Sequence, residues 1–210
     1  MKPQLGDTIL NRYTLVSSLR EEPGIQAWKA NDRVLAKDCQ LFIITDRSAF
    51  AAIDKLAGRI AATRPDRVIP ILKYRMESDV LLIVMPVDSG QCLTDYMVDT
   101  AKPLSYSAIR SIIGECADVL REVIADTPSG IVITTDTVRV TTSGVQIADA
   151  PCATMLADTS ATDLRTDGPE RYAIRQLAAL LYALLTRTPS QATPHSICAP
   201  CRKTPLANSA

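Results

Sequence analysis

Apolar and polar residues alternate over 12–19, R-Y-T-L-V-S-S-L, and again over 25–30, I-Q-A-W-K-A. A period of two places successive side chains on opposite faces of a strand, so both stretches predict half-buried β-strands. E-E-P-G at 21–24 is the turn between them. C-Q-L-F-I-I-T at 39–45 predicts a third strand. The period then changes. Phe50, Ile53, Leu56 with Ala57, and Ile60 fall on one helical face, which predicts a helix over 48–62 with Ser48 as its N-cap. V-I-P-I-L-K-Y at 68–74 and V-L-L-I-V-M-P at 80–86 predict two more strands. The first third therefore reads strand, strand, strand, helix, strand, strand.

The pattern then turns helical. D-S-G at 88–90 is a turn, and C-L-T-D-Y-M at 92–97 begins a short helix. Ser105 caps a long one whose buried face carries Ile109, Ile112, Ile113, Cys116, Val119, Leu120 and Val123. From Val132 to Asp149 the chain reads as two short β runs joined by a Ser-Gly turn. Residues 153–168 are polar, rich in Thr and Asp, and without periodicity, which predicts a loop. Residues 170–186 centre on L-A-A-L-L-Y-A-L-L, apolar nearly all round, which predicts a buried helix. Beyond Pro189 three more prolines and no pattern predict a disordered tail over 190–210.

Composition narrows the function classes. The chain has 210 residues, enough for one domain or two small ones, and at 47% hydrophobic it can bury a core. Lys plus Arg and Asp plus Glu both number 23, and the cations are scattered. That balance offers no footprint for nucleic acid. No apolar run is long enough to span a bilayer, and the N-terminus lacks the charged and apolar regions of a signal peptide. The expectation is a cytoplasmic chain. Cys39, Cys92, Cys116 and Cys152 stand alone among apolar neighbours, as buried free thiols do in a reducing compartment. His195, Cys198 and Cys201 lie close together, but a zinc site needs four ligands and no second pair faces them. No metal or other cofactor is expected.

The order of elements resembles a bacterial Ser/Thr protein kinase fold. R-Y-T-L-V-S-S-L is similar to the opening strand, and W-K-A-N-D-R-V-L-A-K-D-C-Q-L to the second and third. L-L-I-V-M-P-V-D-S-G-Q-C-L resembles the strand, hinge and short helix that join the lobes. S-G-I-V-I-T-T-D-T-V-R-V-T-T-S-G-V-Q-I-A-D stands where the catalytic and metal-binding loops would be, and Q-L-A-A-L-L-Y-A-L-L-T-R-T-P resembles the helix after the activation segment. The resemblance implies an α+β, protein kinase-like, two-lobed fold truncated in its C-lobe. Residues 1–87 would form an N-lobe-like antiparallel sheet with one helix, and 88–189 a partial, mainly helical C-lobe.

It also implies that the chemistry is missing. Phosphoryl transfer needs positioned charges. The segment matching the Gly-rich loop, L-R-E-E-P-G-I, has one glycine and two carboxylates that would repel a triphosphate. Phe42 falls on the strand lysine, Lys55 with Asp54 near its partner glutamate, Val132 on the catalytic aspartate, and Thr137 on the metal-binding asparagine. Of the metal-binding triplet only Asp149 remains, followed by Ala150 and Pro151. A hairpin-end aspartate bonding backbone amides is the plainer reading of Asp149, as a turn residue is of Asp136.

The closest subfamily is the pseudokinase domain attached to MviN-type lipid II flippases of actinobacteria, which pairs a W-x-A-x-D segment with a lost strand lysine and a lost catalytic aspartate. The resemblance implies a non-enzymatic scaffold in peptidoglycan regulation, at the inner face of the membrane. The resemblance further implies phosphorylation by a Ser/Thr protein kinase and reading by a forkhead-associated (FHA) domain, with a lipid II flippase as neighbour. Thr154, Thr159, Thr162 and Thr166 are the candidate acceptors in the 153–168 loop. Two alternatives stand beside it. One is a nucleotide sensor without turnover, using Asp149. The other is a residual kinase drawing its cleft lysine from Lys29, Lys37 or Lys55.

Overall fold

The computed structural model describes residues 3–77, 79–98, 103–126, 131–153 and 168–187. Its first half is a six-stranded antiparallel sheet with the order β1-β2-β3-β4-β6-β5. The strands are β1 (Thr8–Ile9), β2 (Tyr13–Glu22), β3 (Ile25–Asp32), β4 (Lys37–Ile44), β5 (Lys73–Glu77) and β6 (Val80–Pro86). Helix α1 (Arg47–Thr63) lies between β4 and β5 in sequence, so β6 inserts beside β4 and β5 forms the edge.

Alternation sorts the sheet residues onto two faces. Ile25, Ala27, Phe42, Ile44, Leu81, Ile83 and Met85 meet Phe50, Ile53 and Ala57 of α1. Tyr13, Leu15, Trp28, Ala30, Cys39, Leu41, Ile43, Leu82 and Val84 form a second cluster on the other face. Irregular register in β2, between Leu15 and Ser17 and between Ser18 and Arg20, adds local twist to the sheet. At its rim Arg12 grips Asp32 with two hydrogen bonds of 2.8 and 2.6 Å, and Asp32 also accepts from the Val34 amide. The Arg12 guanidinium holds the Asp32 carboxyl down at about 2.

The second half packs around a third core. Helices α2 (Leu93–Val98), α3 (Tyr106–Asp126) and α4 (Pro169–Thr186) accompany a small sheet of β7 (Gln91–Cys92), β8 (Val138–Thr141) and β9 (Gly144–Ile147). Leu56 and Ile60 of α1 enter this core with Ile112, Cys116, Val119, Leu120, Val138, Ile147 and Leu180. One helix thus supplies apolar residues to both halves, because its buried stripe is wider than either core needs.

Several expectations hold. The 25–30, 39–45 and 80–86 runs are strands, and Ser105 accepts from the Ala108 amide at 3.2 Å at the start of α3. The four isolated cysteines are buried and free. Burial, the largest cause, pushes the thiol pKa of Cys39 up to about 11 and that of Cys116 up to about 12, so both stay protonated. No helix among the described residues is long and apolar enough to cross a membrane.

Four expectations are corrected. The N-cap of α1 is Asp46, whose carboxylate accepts from the Ser48 amide at 2.9 Å, not Ser48 itself. The 68–74 strand begins only at Lys73. Pro70 has no amide to donate, and the residues before it turn away from the first sheet: Ile69 donates to the Ile147 carbonyl and Ile147 to the Arg67 carbonyl. The first run of the 132–149 hairpin is extended loop and turn until Val138. Helix α4 is not buried all round. It packs Tyr172, Ala173, Leu180, Ala183 and Leu184 inward, while Ile174, Leu181, Tyr182 and Leu185 remain exposed.

Candidate functional site

The candidate site lies where the two sheets meet. On β4, the alternation that buries Ile44 against α1 puts Phe42 and Gln40 on the same face. Phe42 pairs with Ala27 and Ile83 across the strands and is 1% exposed, among Phe50, Ile53, Ala148 and Cys152. A ring therefore occupies the position read as the strand lysine. Val84 pairs with Leu41 and belongs to the opposite face, so no cleft can be lined by Phe42 and Val84 together. Lys29 shares the face of Gln40, but its ammonium is held by Asp38 at 2.7 Å. Lys55 is exposed on α1.

The loop before β8 explains why so many threonines stand there. The Thr137 hydroxyl accepts from the Thr134 amide at 2.9 Å and donates to the Val132 carbonyl at 3.1 Å. The Thr134 hydroxyl accepts from the Asp136 amide at 3.3 Å. These hydroxyls satisfy backbone groups that have no ladder partner. Val132 is buried against Ala153. The Asp136 carboxylate accepts from the Thr94 hydroxyl at 2.7 Å, which ties the loop to α2 and fits its reading as a turn residue. Gln176 of α4 clips the segment just before: it accepts from the Ile133 amide at 2.5 Å and donates to the Ile131 carbonyl at 3.2 Å. Val132 is thus packed, and the Thr137 hydroxyl is hydrogen-bonded within its own loop.

Asp149 follows β9 in a left-handed backbone conformation, φ 60°, that aspartate tolerates better than most residues. Its carbonyl accepts from the Cys152 and Ala153 amides, which closes the turn around Pro151. Its carboxylate accepts from the side-chain amide of Gln40 at 3.3 Å, across the gap between the sheets. Burial, the largest cause, pushes the Asp149 carboxyl up. Arg139 pulls it down, Asp88 pushes it up, Arg20 and Gln40 pull it down, and the net direction is upward.

Sequence reasoning missed the charge at the centre of this arrangement. Arg139 of β8 is 6% exposed. Its guanidinium is paired with the Asp88 carboxylate and donates to the Asp136 carbonyl and, at 3.3 Å, to Cys92 Sγ. Burial works against its charge but is outweighed by Asp88, Cys92 and Asp149. The sign of a charge is visible in a sequence; that Arg139 sits on the inward position of β8 is not. Arg20 reaches the same field from β2. The only signals for Gln40 and Arg20 were their positions in alternating runs, where a polar residue stands on the apolar face.

Thr154, Thr159, Thr162 and Thr166 lie outside the described residues, as do His195, Cys198, Cys201 and the 190–210 tail. Comparison with protein-family models finds no match, and comparison with curated proteins finds none.

Proposed function

We propose that this chain is a catalytically inactive kinase-like module that serves as a phosphorylation-dependent binding scaffold in the regulation of peptidoglycan biosynthesis. An antiparallel sheet with one helix inserted after β4 supports the kinase-like reading, which expects an N-lobe of that kind. The observation that carries the loss of catalysis is Phe42. The position that must present a cation to a triphosphate holds a ring packed between the sheet and α1. The other positions agree: Val132 is buried, the Thr137 hydroxyl is spent on its own loop, and Asp149 is answered by Gln40.

A scaffold without chemistry acts through its surface. A phosphothreonine brings roughly −2 charge and three acceptor oxygens, enough for one to three charge-assisted hydrogen bonds to an Arg-lined reader. The kinase, the FHA-domain reader and the flippase come from the family resemblance alone. The test is titration of an FHA domain against the chain before and after treatment with a Ser/Thr kinase, with Thr154, Thr159, Thr162 and Thr166 each replaced by alanine. Binding is expected only after phosphorylation and is lost in one alanine variant. Equal affinity in both states rejects the mechanism, and binding that survives every replacement moves the acceptor outside this loop.

A further inference from the structure

Strand β5 is an open edge of the six-stranded sheet. It stands beyond β6 at the end of the strand order, and among the described residues no strand pairs with its outer side. All of its residues are exposed. Its two faces differ. Tyr74 and Met76 pair with Ile83 and Leu81 and stand on the α1 side of the sheet. Lys73, Arg75 and Glu77 pair with Val84, Leu82 and Val80 and stand on the other. An open edge offers backbone N–H and C=O groups to any extended chain, and charged side chains are the usual guard against such pairing. The signs of the guard matter. Charges of one sign repel a second copy, whereas charges of alternating sign can fit it.

A second β5 running antiparallel is related to the first by a two-fold axis normal to the sheet. That axis keeps each face on its own side, so it passes through a residue paired with its own copy. Centred on Met76, the register places Arg75 opposite Glu77 of the second copy, and Glu77 opposite its Arg75. Within one strand these two side chains already meet at 3.2 Å, and they are 55% and 45% exposed. The four groups then form a ring in which each neighbour has the opposite charge. On the α1 side Met76, half exposed, meets Met76. The neighbouring registers lack this match. Centred on Arg75 or Glu77, the axis sets like charges together; centred on Tyr74, it sets Lys73 against Arg75 twice over. Directly opposed pairs of opposite charge favour an antiparallel ladder, and like charges oppose it.

We propose that β5 pairs antiparallel with β5 of a second copy of the chain, in the register centred on Met76, so that two sheets join edge to edge. The pairing is independent of the scaffold reading above, and it uses neither Phe42 nor Asp149.

Sedimentation equilibrium and hydrogen exchange of the full chain test it together. At about 200 µM the chain is expected at twice its 22.8 kDa mass, shifting toward monomer on dilution. The β5 amides are expected to exchange more slowly as the concentration rises. Arg75→Glu and Glu77→Arg each set like charges opposite one another twice, and each is expected to weaken self-association roughly tenfold at low salt. The double variant is expected to restore it. An equal mixture of the two single variants is expected to associate more tightly than either alone, because opposite charges then meet across the axis. A pairing confined to one strand gives no such recovery. A wild-type chain that stays monomeric overturns the proposal. A dimer whose β5 amides exchange at the same rate at every concentration overturns it as well, since another surface then holds the copies together. A mixture that associates no better than its components rejects the register. Should a variant fail to fold, the wild-type exchange measurement decides by itself.

Discussion

Asp149 holds a conformation and a charge that pull in different directions. Its positive φ suits aspartate or asparagine, while its ionised form is disfavoured where it lies. A carboxyl whose folded pKa is raised binds more protons folded than unfolded. Its contribution to stability is therefore most favourable below the unfolded value, about 3.9, and declines as pH rises through the folded one. Asparagine keeps the backbone preference and a hydrogen-bonding partner for Gln40, and removes the charge. Asp149→Asn is thus expected to melt at or above the wild-type temperature near pH 7.5, with the difference shrinking toward about pH 4. A clearly lower melting temperature near pH 7.5 would mean that the ionised carboxylate is needed, which would revive a ligand-binding role. That Phe42 and Val132 are apolar and so buried was legible in the sequence, because each stands within an apolar run. The roles of Gln40, Arg139 and Gln176 were not, because each acts on a residue far away in the chain.

The hairpin of β8 and β9 shows how an element with little chemistry is held in place. Its turn ends at Gly144, φ 120°, beside Glu115 of α3. Glu115 accepts from Arg67 at 2.5 Å and from the Val145 amide at 2.8 Å, so one carboxylate joins helix, hairpin and the segment leading to Ile69. A β-carbon at Gly144 would stand 2.3 Å from Glu115 Oε2 and 2.6 Å from Arg67 Nη1. Gly144→Ala must therefore disturb this ion pair and hold a strained φ, at a cost of about 1–3 kcal/mol. Thermal melting is expected to fall by about 3–10 °C. An unchanged melting temperature would show that the two side chains move aside freely. The alternation of V-R-V-T and G-V-Q-I made this hairpin legible, whereas the Thr-stitched loop before it looked like strand because threonine suits both.

At the scale of the molecule, the arrangement of cores decides what the candidate site can hold. In the proposed kinase-like reading, the face that would meet a nucleotide is the face that packs on α1, and Phe42 is part of that packing. Mg-ATP is expected neither to bind tightly nor to be hydrolysed. Ligand at about 100 times its dissociation constant adds roughly 2.7 kcal/mol, so tight binding would be plain in a melting curve. No rise is expected in millimolar Mg-ATP. A rise of several degrees that disappears in Asp149→Ala would contradict the inactive reading and favour a nucleotide sensor.

The sequence by itself determined the α+β class, the bounds of α1, β3, β4 and β6 to within a few residues, and the apolar character of positions 42 and 132. Period and residue type are local properties, and they decide which groups a short segment can bury or present. Tertiary structure alone decided the rest. Pro70 turned an apparent strand toward β9, because Ile147 offered its backbone there. The apolar helix α4 has one covered face and one bare one, because packing depends on what stands opposite and hydrophobicity does not reveal that. Arg139 became an interior charge, because Asp88, Asp136 and Asp149, distant in sequence, converge where the two sheets meet and make burying it possible.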